Sequence, residues 1–142
     1  MSLLNLKIAT PERLVFEDSE LDSVTLPTFQ GEITILPKHI PLVAKILPGE
    51  IVVRKKTNER SLVTMQGFMR LDKQGNIVVL SDYAVRSEDV ELAKVEEAKK
   101  KAQEAMKEKH SERDFVVAEA ELRKTLLELK IAQKRRGVKM GV

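Results

Sequence analysis

The chain has few residues of the kinds that perform catalysis. It contains no cysteine, so disulfides, thiolate zinc sites and cysteine nucleophiles are all excluded. Its two histidines, His39 and His110, are far apart in different contexts, so no histidine metal cluster is expected. A Ser–His–Asp triad around His39 would need a nucleophile on a strained Gly-x-Ser-x-Gly turn, which the sequence lacks. The chain alone is therefore predicted not to be an enzyme.

Nucleotide and nucleic-acid motifs are missing as well. There is neither a Gly-x-x-x-x-Gly-Lys-Ser/Thr loop nor a Gly-x-Gly-x-x-Gly turn to hold phosphates. Aromatic residues make up 4% of the chain, with one Tyr and no Trp, too few for a surface that stacks single-stranded bases. The sequence therefore predicts a scaffold with binding surfaces.

Charge divides the chain into two parts. Residues 1–86 hold 11 Lys/Arg and 10 Asp/Glu, whereas the shorter stretch 87–142 holds 14 and 12. This shift predicts two domains, 1–86 and 87–142. The second ends in a basic tail, which leaves open an alternative function as a module that binds nucleic acid or an acidic protein. Its 12 acids and the scarcity of aromatics argue against that alternative.

The first part has the pattern of a β-sheet domain. Short apolar runs alternate with polar residues from Leu4 to about Arg86, and Pro, Gly and Asn separate them. The runs include Leu4–Ile8, Leu21–Leu26, Ile33–Ile35, Ile51–Arg54, Leu62–Met65, Phe68–Leu71 and Ile77–Leu80. Many short strands without intervening helices predict an antiparallel sandwich or barrel and disfavour a doubly wound nucleotide fold.

The second part has a helical period. The spacing of apolar residues predicts one stripe on each of two helices: Leu92, Val95, Ala98, Ala102 and Ala105, then Phe115, Ala118, Leu122, Leu126 and Leu129. Glu88, Asp89 and Glu91 suit the first turn of the first helix. We predict a break at Lys109–Ser111, an N-cap at Ser111 and an end at Gly137. The result is an antiparallel hairpin with a thin, alanine-rich apolar stripe, and we expect it to be the least stable part of the chain.

No apolar run approaches the roughly 20 residues that span a bilayer. The first nine residues carry one lysine and no cleavage-site pattern, so no signal peptide is expected. Any association with a membrane is predicted to go through other proteins.

The segment Gly31-Glu32-Ile33-Thr34-Ile35-Leu36-Pro37-Lys38-His39-Ile40-Pro41-Leu42 is the most distinctive in the chain. It resembles the Gly-Glu-x-x-Ile-Leu-Pro-x-His-x-Pro-Leu motif of the epsilon subunits of bacterial and chloroplast rotary ATP synthases. Further similar stretches follow the family's order: Thr10–Glu12, Val24–Pro27, Leu47–Glu50, Gln66–Phe68 and Val78–Asp82. Thr34, Lys38 and Gln66 stand where the family commonly has glycine, which puts only the local backbone geometry in question.

The resemblance implies an α+β fold, a ten-stranded antiparallel β-sandwich followed by a two-helix hairpin. It also implies a non-catalytic subunit that couples the catalytic head to the membrane rotor during ATP synthesis. One face of the sandwich is expected to bind the central-stalk gamma subunit, and the end near Gly31 and Glu32 to rest on the c-ring. His39 and Pro41 are further candidates for the rotor-ring or stalk contact. Without the resemblance, the sequence favours Glu32 as a solvated loop acid. His39 is equally well explained as a turn residue held by a backbone hydrogen bond.

In the family the hairpin either folds against the sandwich or extends into the catalytic head, where basic residues of its second helix face the beta subunit and oppose ATP hydrolysis. The residues that would make this contact with the beta (and alpha) subunits are Arg123, Lys124, Lys130, Lys134, Arg135 and Arg136, with Arg113 a weaker candidate. A solvated basic face at a helix end accounts for some of them equally well.

Some bacterial members bind ATP through Ile/Leu-Asp-x-x-Arg-Ala at the start of the first helix. The stretch here is Val90-Glu91-Leu92-Ala93-Lys94-Val95, with Glu91 for the acid and Lys94 for the arginine. Lysine cannot reproduce a bidentate arginine contact, so weak or absent ATP binding is expected. No other cofactor and no metal are expected. The resemblance implies a peripheral position on the cytoplasmic face of a bacterial plasma membrane, with the chloroplast thylakoid as the alternative.

Overall fold

The computed structural model describes residues 3–107 and 112–136, and only the backbone of residues 112–114. It divides into two compact units, Met1–Arg86 and Ser87–Val142. The division falls where the charge density of the sequence changes. The first unit is a β-sheet domain and the second is helical, and each is described here by itself.

The first unit contains ten strands. They are β1 (Leu4–Ala9), β2 (Leu14–Leu21), β3 (Ser23–Thr28), β4 (Gly31–Ile35), β5 (Leu42–Ile46), β6 (Gly49–Lys55), β7 (Asn58–Thr64), β8 (Gly67–Leu71), β9 (Asn76–Ser81) and β10 (Ala84–Arg86). Nine follow one another in the order β10-β7-β6-β3-β5-β8-β9-β1-β2, and β4 pairs with β3. All neighbours are antiparallel except β1 and β9, which run parallel. The predicted antiparallel, ten-stranded sandwich is confirmed.

Large aliphatic side chains fill the interior of this sheet. Every second residue of β1 points inward, and the same alternation in the other strands gives a core whose largest fully buried members include Leu4, Leu26, Ile35, Ile46, Ile51 and Leu62. Burying such side chains stabilises a domain by about 1.5–3 kcal/mol each relative to leaving them exposed. The core is therefore sufficient to hold the unit without metals or disulfides.

An ionic contact joins strands from opposite ends of the sheet order. The carboxylate of Asp18 on β2 accepts hydrogen bonds from Lys55 Nζ on β6, at 3.2 Å, and from the Arg60 guanidinium on β7. The Arg60 guanidinium also lies 4.9 Å from the centroid of the Phe16 ring. The edge strand β2 thus closes over β6 and β7, and the sheet curls into a sandwich that is nearly a barrel.

Three strands, β2, β5 and β10, were not predicted as separate elements. The polar run Glu17–Glu20 hides the alternation of β2, and its register against β1 shifts between Leu4 and Leu6. Glu20 has a φ of 57° at this irregularity, the left-handed conformation that one type of β-bulge uses. Thr34, at a position where the family commonly has glycine, lies inside β4, and its hydroxyl is 2.9 Å from that of Thr25.

The second unit begins with a 3-10 turn at Ser87–Asp89, followed by helices α1 (Leu92–Lys107) and α2 (Glu112–Arg135). The prediction that Glu88, Asp89 and Glu91 belong to the first turn of α1 is wrong, because the helix starts after them at Leu92. The two helices pack against each other, and the end of α2 lies beside the start of α1. They therefore form the predicted antiparallel hairpin.

The buried seam of the hairpin differs from the predicted stripes. Ala98, Ala105 and Leu126 are exposed, the last at 41%. The inward positions step alternately by three and four residues: Leu92, Val95, Lys99, Ala102 and Met106 on α1, and Phe115, Ala118, Leu122, Thr125, Leu129 and Ala132 on α2. This is the period of about 3.5 residues that keeps two long helices in continuous contact, and the predicted steps did not follow it.

Several predictions fall outside the described residues: the break at Lys109–Ser111, the Ser111 N-cap, His110 and the helix end at Gly137. The side chain of Arg113 lies outside them too. Within residues 3–107 and 112–136, neither helix is long and apolar enough to cross a membrane.

Candidate partner-binding surfaces

The turns of the sandwich gather at two opposite ends. The register places Thr28 opposite Gly31 and Ile46, and Gly67 opposite Ser81, so the turns that follow β1, β3, β5, β7 and β9 share one end. We call it the Gly31 end. The turns after β2, β4, β6 and β8 share the other, which we call the His39 end. Gly31 and Glu32 thus lie at one end, whereas His39 and Pro41 lie at the other.

A tight hairpin turn forms the tip of the Gly31 end. The Thr28 hydroxyl donates to the Gly31 carbonyl at 2.6 Å and accepts from the Gln30 amide at 3.3 Å. Gly31 has a φ of 110°, which a residue with a side chain rarely adopts. The turn exposes Phe29, at 65%, and Glu32 is exposed at the start of β4. The Gly31 end therefore offers both an apolar ring and a carboxylate.

A proline-bounded loop forms part of the His39 end. The His39 amide donates to the Leu36 carbonyl at 3.2 Å, and the His39 Nδ1 lies 2.7 Å from the Ile40 carbonyl, to which it donates as N–H. The backbone hydrogen bond expected of this histidine is therefore present. Lys38 has a φ of 72°, so the position where the family commonly has glycine does need the left-handed conformation. Ile40 is 75% exposed at the tip of the loop.

An exposed apolar face covers part of the outer surface of strands β5, β8 and β9. Phe68 pairs with Leu80, and Arg70 pairs with both Val43 and Val78. We call Val43, Phe68, Val78 and Leu80 the apolar face. Phe68 is 61% and Leu80 60% exposed. Apolar side chains clustered on a surface are typical of a protein-binding site.

The sequence contained a signal for this face that the prediction did not use. Ile77–Leu80 is apolar at every position, although only Ile77 and Val79 point into the core. A strand with one face in water normally alternates. A continuous apolar run in an antiparallel sheet therefore indicates a second buried face, here one that a partner can supply.

The predicted basic residues of α2 do not all share one surface. Arg123, Lys130 and Lys134 are exposed, and their spacing of seven and four residues puts them on one line. Lys124 is partly buried and lies to the side, with its Nζ 3.8 Å from Glu121 Oε2. Arg123 also pairs with Glu119 one turn earlier. The exposed line, which we call the basic line of α2, is thus Arg123, Lys130 and Lys134.

The last two candidates lie off that line. Arg135 is partly buried at the last position of α2. The guanidinium of Arg136 donates to the Glu88 carbonyl at 3.0 Å and to the Val90 carbonyl. In this structure Arg136 is therefore engaged within the hairpin.

The two charged residues compared with the ATP motif pair with each other at the surface. Lys94 Nζ pairs with Glu91 Oε2 at 3.3 Å, and both side chains are largely exposed. Val95, at the position of the motif's alanine, is buried in the seam. Among the described residues no group of three or more histidine or acidic side chains could hold a metal ion.

Comparison with known proteins decides the family. The family described as ATP synthase, Delta/Epsilon chain, beta-sandwich domain matches residues 3–87. The chain belongs to this family. The ATP synthase epsilon chain of Dehalococcoides mccartyi is 40% identical over 137 residues, which cover 96% of each chain. That of Herpetosiphon aurantiacus is 32% identical, with 94% and 96% covered. The family assignment confirms the prediction from the Gly31–Leu42 motif and decides against a nucleic-acid module.

The fold likeness extends to solved structures of the ATP synthase. A chain of the Euglena gracilis mitochondrial ATP synthase, in a structure of its OSCP, F1 and c-ring, superposes with a TM-score of 0.70 at 18% identity. The match covers 96% of this chain and 81% of that one. As an epsilon-type member of the family, the chain is a non-catalytic subunit of the rotary, proton-translocating complex.

Proposed function

We propose that the sandwich is a rigid adaptor that binds the gamma subunit of the central stalk through its apolar face. The observation that carries this proposal is the exposure of Val43, Phe68, Val78 and Leu80 on one continuous surface. Lys45 and Arg70 lie among them in the strand register and can set orientation at the rim. Burying two or three such anchors supplies most of the energy of a typical protein interface.

The two ends of the sandwich are proposed to meet different partners. The five residues of β4 separate them by about 15 Å at 3.3 Å per residue, so one flat surface cannot contact both. We assign the Gly31 end, with Glu32 and Phe29, to the polar loops of the c-ring. We assign the His39 end, with His39 and Pro41, to the stalk. The prolines stiffen that loop under torque.

The hairpin is proposed to regulate ATP hydrolysis. When it extends, the basic line of α2 faces an acidic surface of the beta (and alpha) subunits. Each exposed pair contributes only about 0–1 kcal/mol, but several together can bias an equilibrium that takes about 5 kcal/mol to shift fully. Because Glu91 and Lys94 pair with each other in water, ATP is proposed not to act as a tight ligand of the hairpin.

We propose that the chain lies at the cytoplasmic face of a bacterial plasma membrane, attached only through other subunits. The bacterial relatives support this location.

The deciding experiment uses a catalytic head that contains gamma but lacks its epsilon subunit. Full-length chain and a chain ending at Arg86 are added separately, and binding and ATP hydrolysis are measured. Both should bind, and only the full chain should suppress hydrolysis. Binding of both without suppression would remove the regulatory role and keep the adaptor role, and failure of both to bind would refute the adaptor role.

Point variants locate the gamma contact. Phe68→Ser and Leu80→Ser should each weaken binding of the chain ending at Arg86 to gamma by about tenfold or more, as expected for central anchors. Val43→Ser lies at the edge and should have less effect. Arg54→Ser, on the exposed surface of β6 away from the apolar face, is the control. Equal losses for Arg54→Ser and Phe68→Ser would show that the apolar face is not the contact.

A further inference from the structure

Arg136 joins the two ends of the hairpin. Its Nη2 donates to the carbonyls of Glu88 and Val90, in the segment that leads into α1. Arg136 itself directly follows the last residue of α2, and its amide continues the helical pattern by donating to the Ala132 carbonyl at 3.0 Å. A single guanidinium therefore holds the end of α2 against the start of the helical unit.

The acceptors suit this role because they lie where a short helix ends. The Val90 amide closes the 3-10 turn by donating to Ser87 at 3.3 Å, which leaves the carbonyls that follow to find other donors. The Arg136 Nη2 carries two N–H groups and can serve both carbonyls at once. Hydrogen bonds from a charged donor are also stronger than those between neutral groups.

Because the rest of the hairpin packs weakly, this contact contributes a large share of the free energy that holds the two helices together. Six of the seam positions are well buried, and four of these six carry small side chains: Ala102, Ala118, Thr125 and Ala132. Small side chains remove little apolar surface from water, so packing alone holds the helices weakly. A polar contact at the open end of the hairpin therefore counts for more here than it would in the sandwich.

We propose that Arg136 is a latch that keeps the hairpin closed and so restrains its inhibitory form. The regulatory half of this inference rests on the proposed function of the hairpin, whereas the latch itself does not. Arg136 then differs in kind from the basic line of α2: Lys130 serves the extended form and Arg136 opposes it.

Hydrogen exchange of the full chain tests the latch directly. In Arg136→Ala, amides of residues 88–95 and of the last turn of α2 should exchange about tenfold faster, as expected for loss of charge-assisted hydrogen bonds. Arg136→Lys should fall between that variant and wild type. Lys130→Ala removes the same charge from an exposed position and should stay within about twofold of wild type, and the sandwich amides should not change. Wild-type exchange in Arg136→Ala, or equal acceleration in Lys130→Ala, would overturn the latch.

Hydrolysis by the epsilon-depleted head tests the regulatory half. Arg136→Ala should inhibit at a lower concentration than wild type, by up to the same tenfold factor, because more of the hairpin is open. Lys130→Ala should inhibit at a higher concentration. If both variants weaken inhibition, Arg136 is a contact to the head and restrains nothing. If wild type and both variants fail to inhibit while exchange responds as expected, the proposed regulatory function fails and the latch remains.

Discussion

The sandwich and the hairpin are held together in different ways. The core of the sandwich is built from fully buried leucine and isoleucine side chains, and its ladders join strands distant in sequence. In the hairpin, four of the six well-buried seam side chains are small, three alanines and one threonine, and Val95 and Leu129 are the two larger ones; Ile131 on α2 is buried as well. The apolar area removed from water, and with it the stabilisation, is much smaller per residue in the hairpin.

This difference separates two tasks within one short chain. A subunit that transmits torque needs one part whose surfaces keep their shape, and the sandwich supplies it. A subunit that changes its contacts needs a part with a small free-energy difference between two arrangements. The hairpin, with its thin seam and one polar latch, has such a small difference. Under the proposed function, regulation acts on the hairpin while the sandwich stays folded on its partners.

The largest expected effect tests the strength of the sandwich core. Ile51→Ala should lower the free energy of unfolding of the sandwich by about 2–5 kcal/mol, because the side chain is fully buried and leaves a cavity. Denaturant unfolding of the chain ending at Arg86 measures this. Val78→Ala, on the partly exposed apolar face, is the control and should cost less than about 1 kcal/mol. Equal losses would mean that the two faces of the sheet are equally buried, contrary to the structure.

The contact that closes the sheet makes the sandwich sensitive to acid. Burial raises the pKa of Asp18, but hydrogen bonds from Arg60, the Ser19 amide and Lys55 outweigh it, so the pKa lies below the ordinary 3.8. A lowered carboxyl pKa gives stability that is present above pH 3.8 and is lost as the pH falls through the folded-state value. Asp18→Asn should therefore cost about 1–3 kcal/mol at pH 7 and progressively less in strong acid.

Unfolding curves of wild type and Asp18→Asn between pH 7 and pH 2 measure that difference. Glu17→Gln is the matched control, since Glu17 pairs with Lys7 at 3.2 Å on the exposed surface of the same strand. An exposed pair of this kind contributes about 0–1 kcal/mol. A loss in Asp18→Asn that did not shrink below pH 3.8 would show that the carboxylate's charge does not close the sheet.

The sequence was sufficient for the fold class because the two units have different periods. Alternation in Leu4–Ile8 and the helical spacing after Ser87 reflect local rules of strands and helices. Strand β2 was not predicted because a bulge at Glu20 interrupts its alternation of apolar and polar residues. Which alanines meet in the hairpin depends on how two helices wind together, and a short stripe does not reveal that.

The surfaces were harder to predict than the fold. Glu32 and His39 are seven residues apart in one motif, yet β4 carries them to opposite ends of the sandwich. The apolar face combines residues of three strands and becomes visible only with their register. Arg136 looked like any other cation of the tail because its acceptors are backbone carbonyls, which no sequence pattern marks.

A smaller effect, in the opposite direction, tests whether the sandwich keeps backbone strain at its His39 end. Lys38 has a φ of 72°, where a side chain costs about 1 kcal/mol relative to glycine. Lys38→Gly should therefore stabilise the sandwich by up to about 1 kcal/mol in denaturant unfolding. Lys45→Gly, in strand β5, should destabilise it by about 0.5–1 kcal/mol, since glycine weakens a strand. Destabilisation by both changes would show that the Lys38 side chain itself holds the loop.

The smallest expected effect defines the seam of the hairpin. Ala98 is exposed in the structure, although simple helical spacing placed it inside, whereas Ala102 is buried. Ala98→Lys should therefore change the opening free energy of the hairpin by less than about 0.5 kcal/mol, because lysine is nearly as good a helix former as alanine. Ala102→Lys should open the hairpin, since its charge would be forced into the seam. Hydrogen exchange of α1 and α2 in the full chain measures both. Equal hydrogen exchange in the two variants would mean that the helices do not meet with the alternating three-and-four spacing. The seam, and with it the comparison between a well-packed sandwich and a thinly packed hairpin, would then have to be redefined.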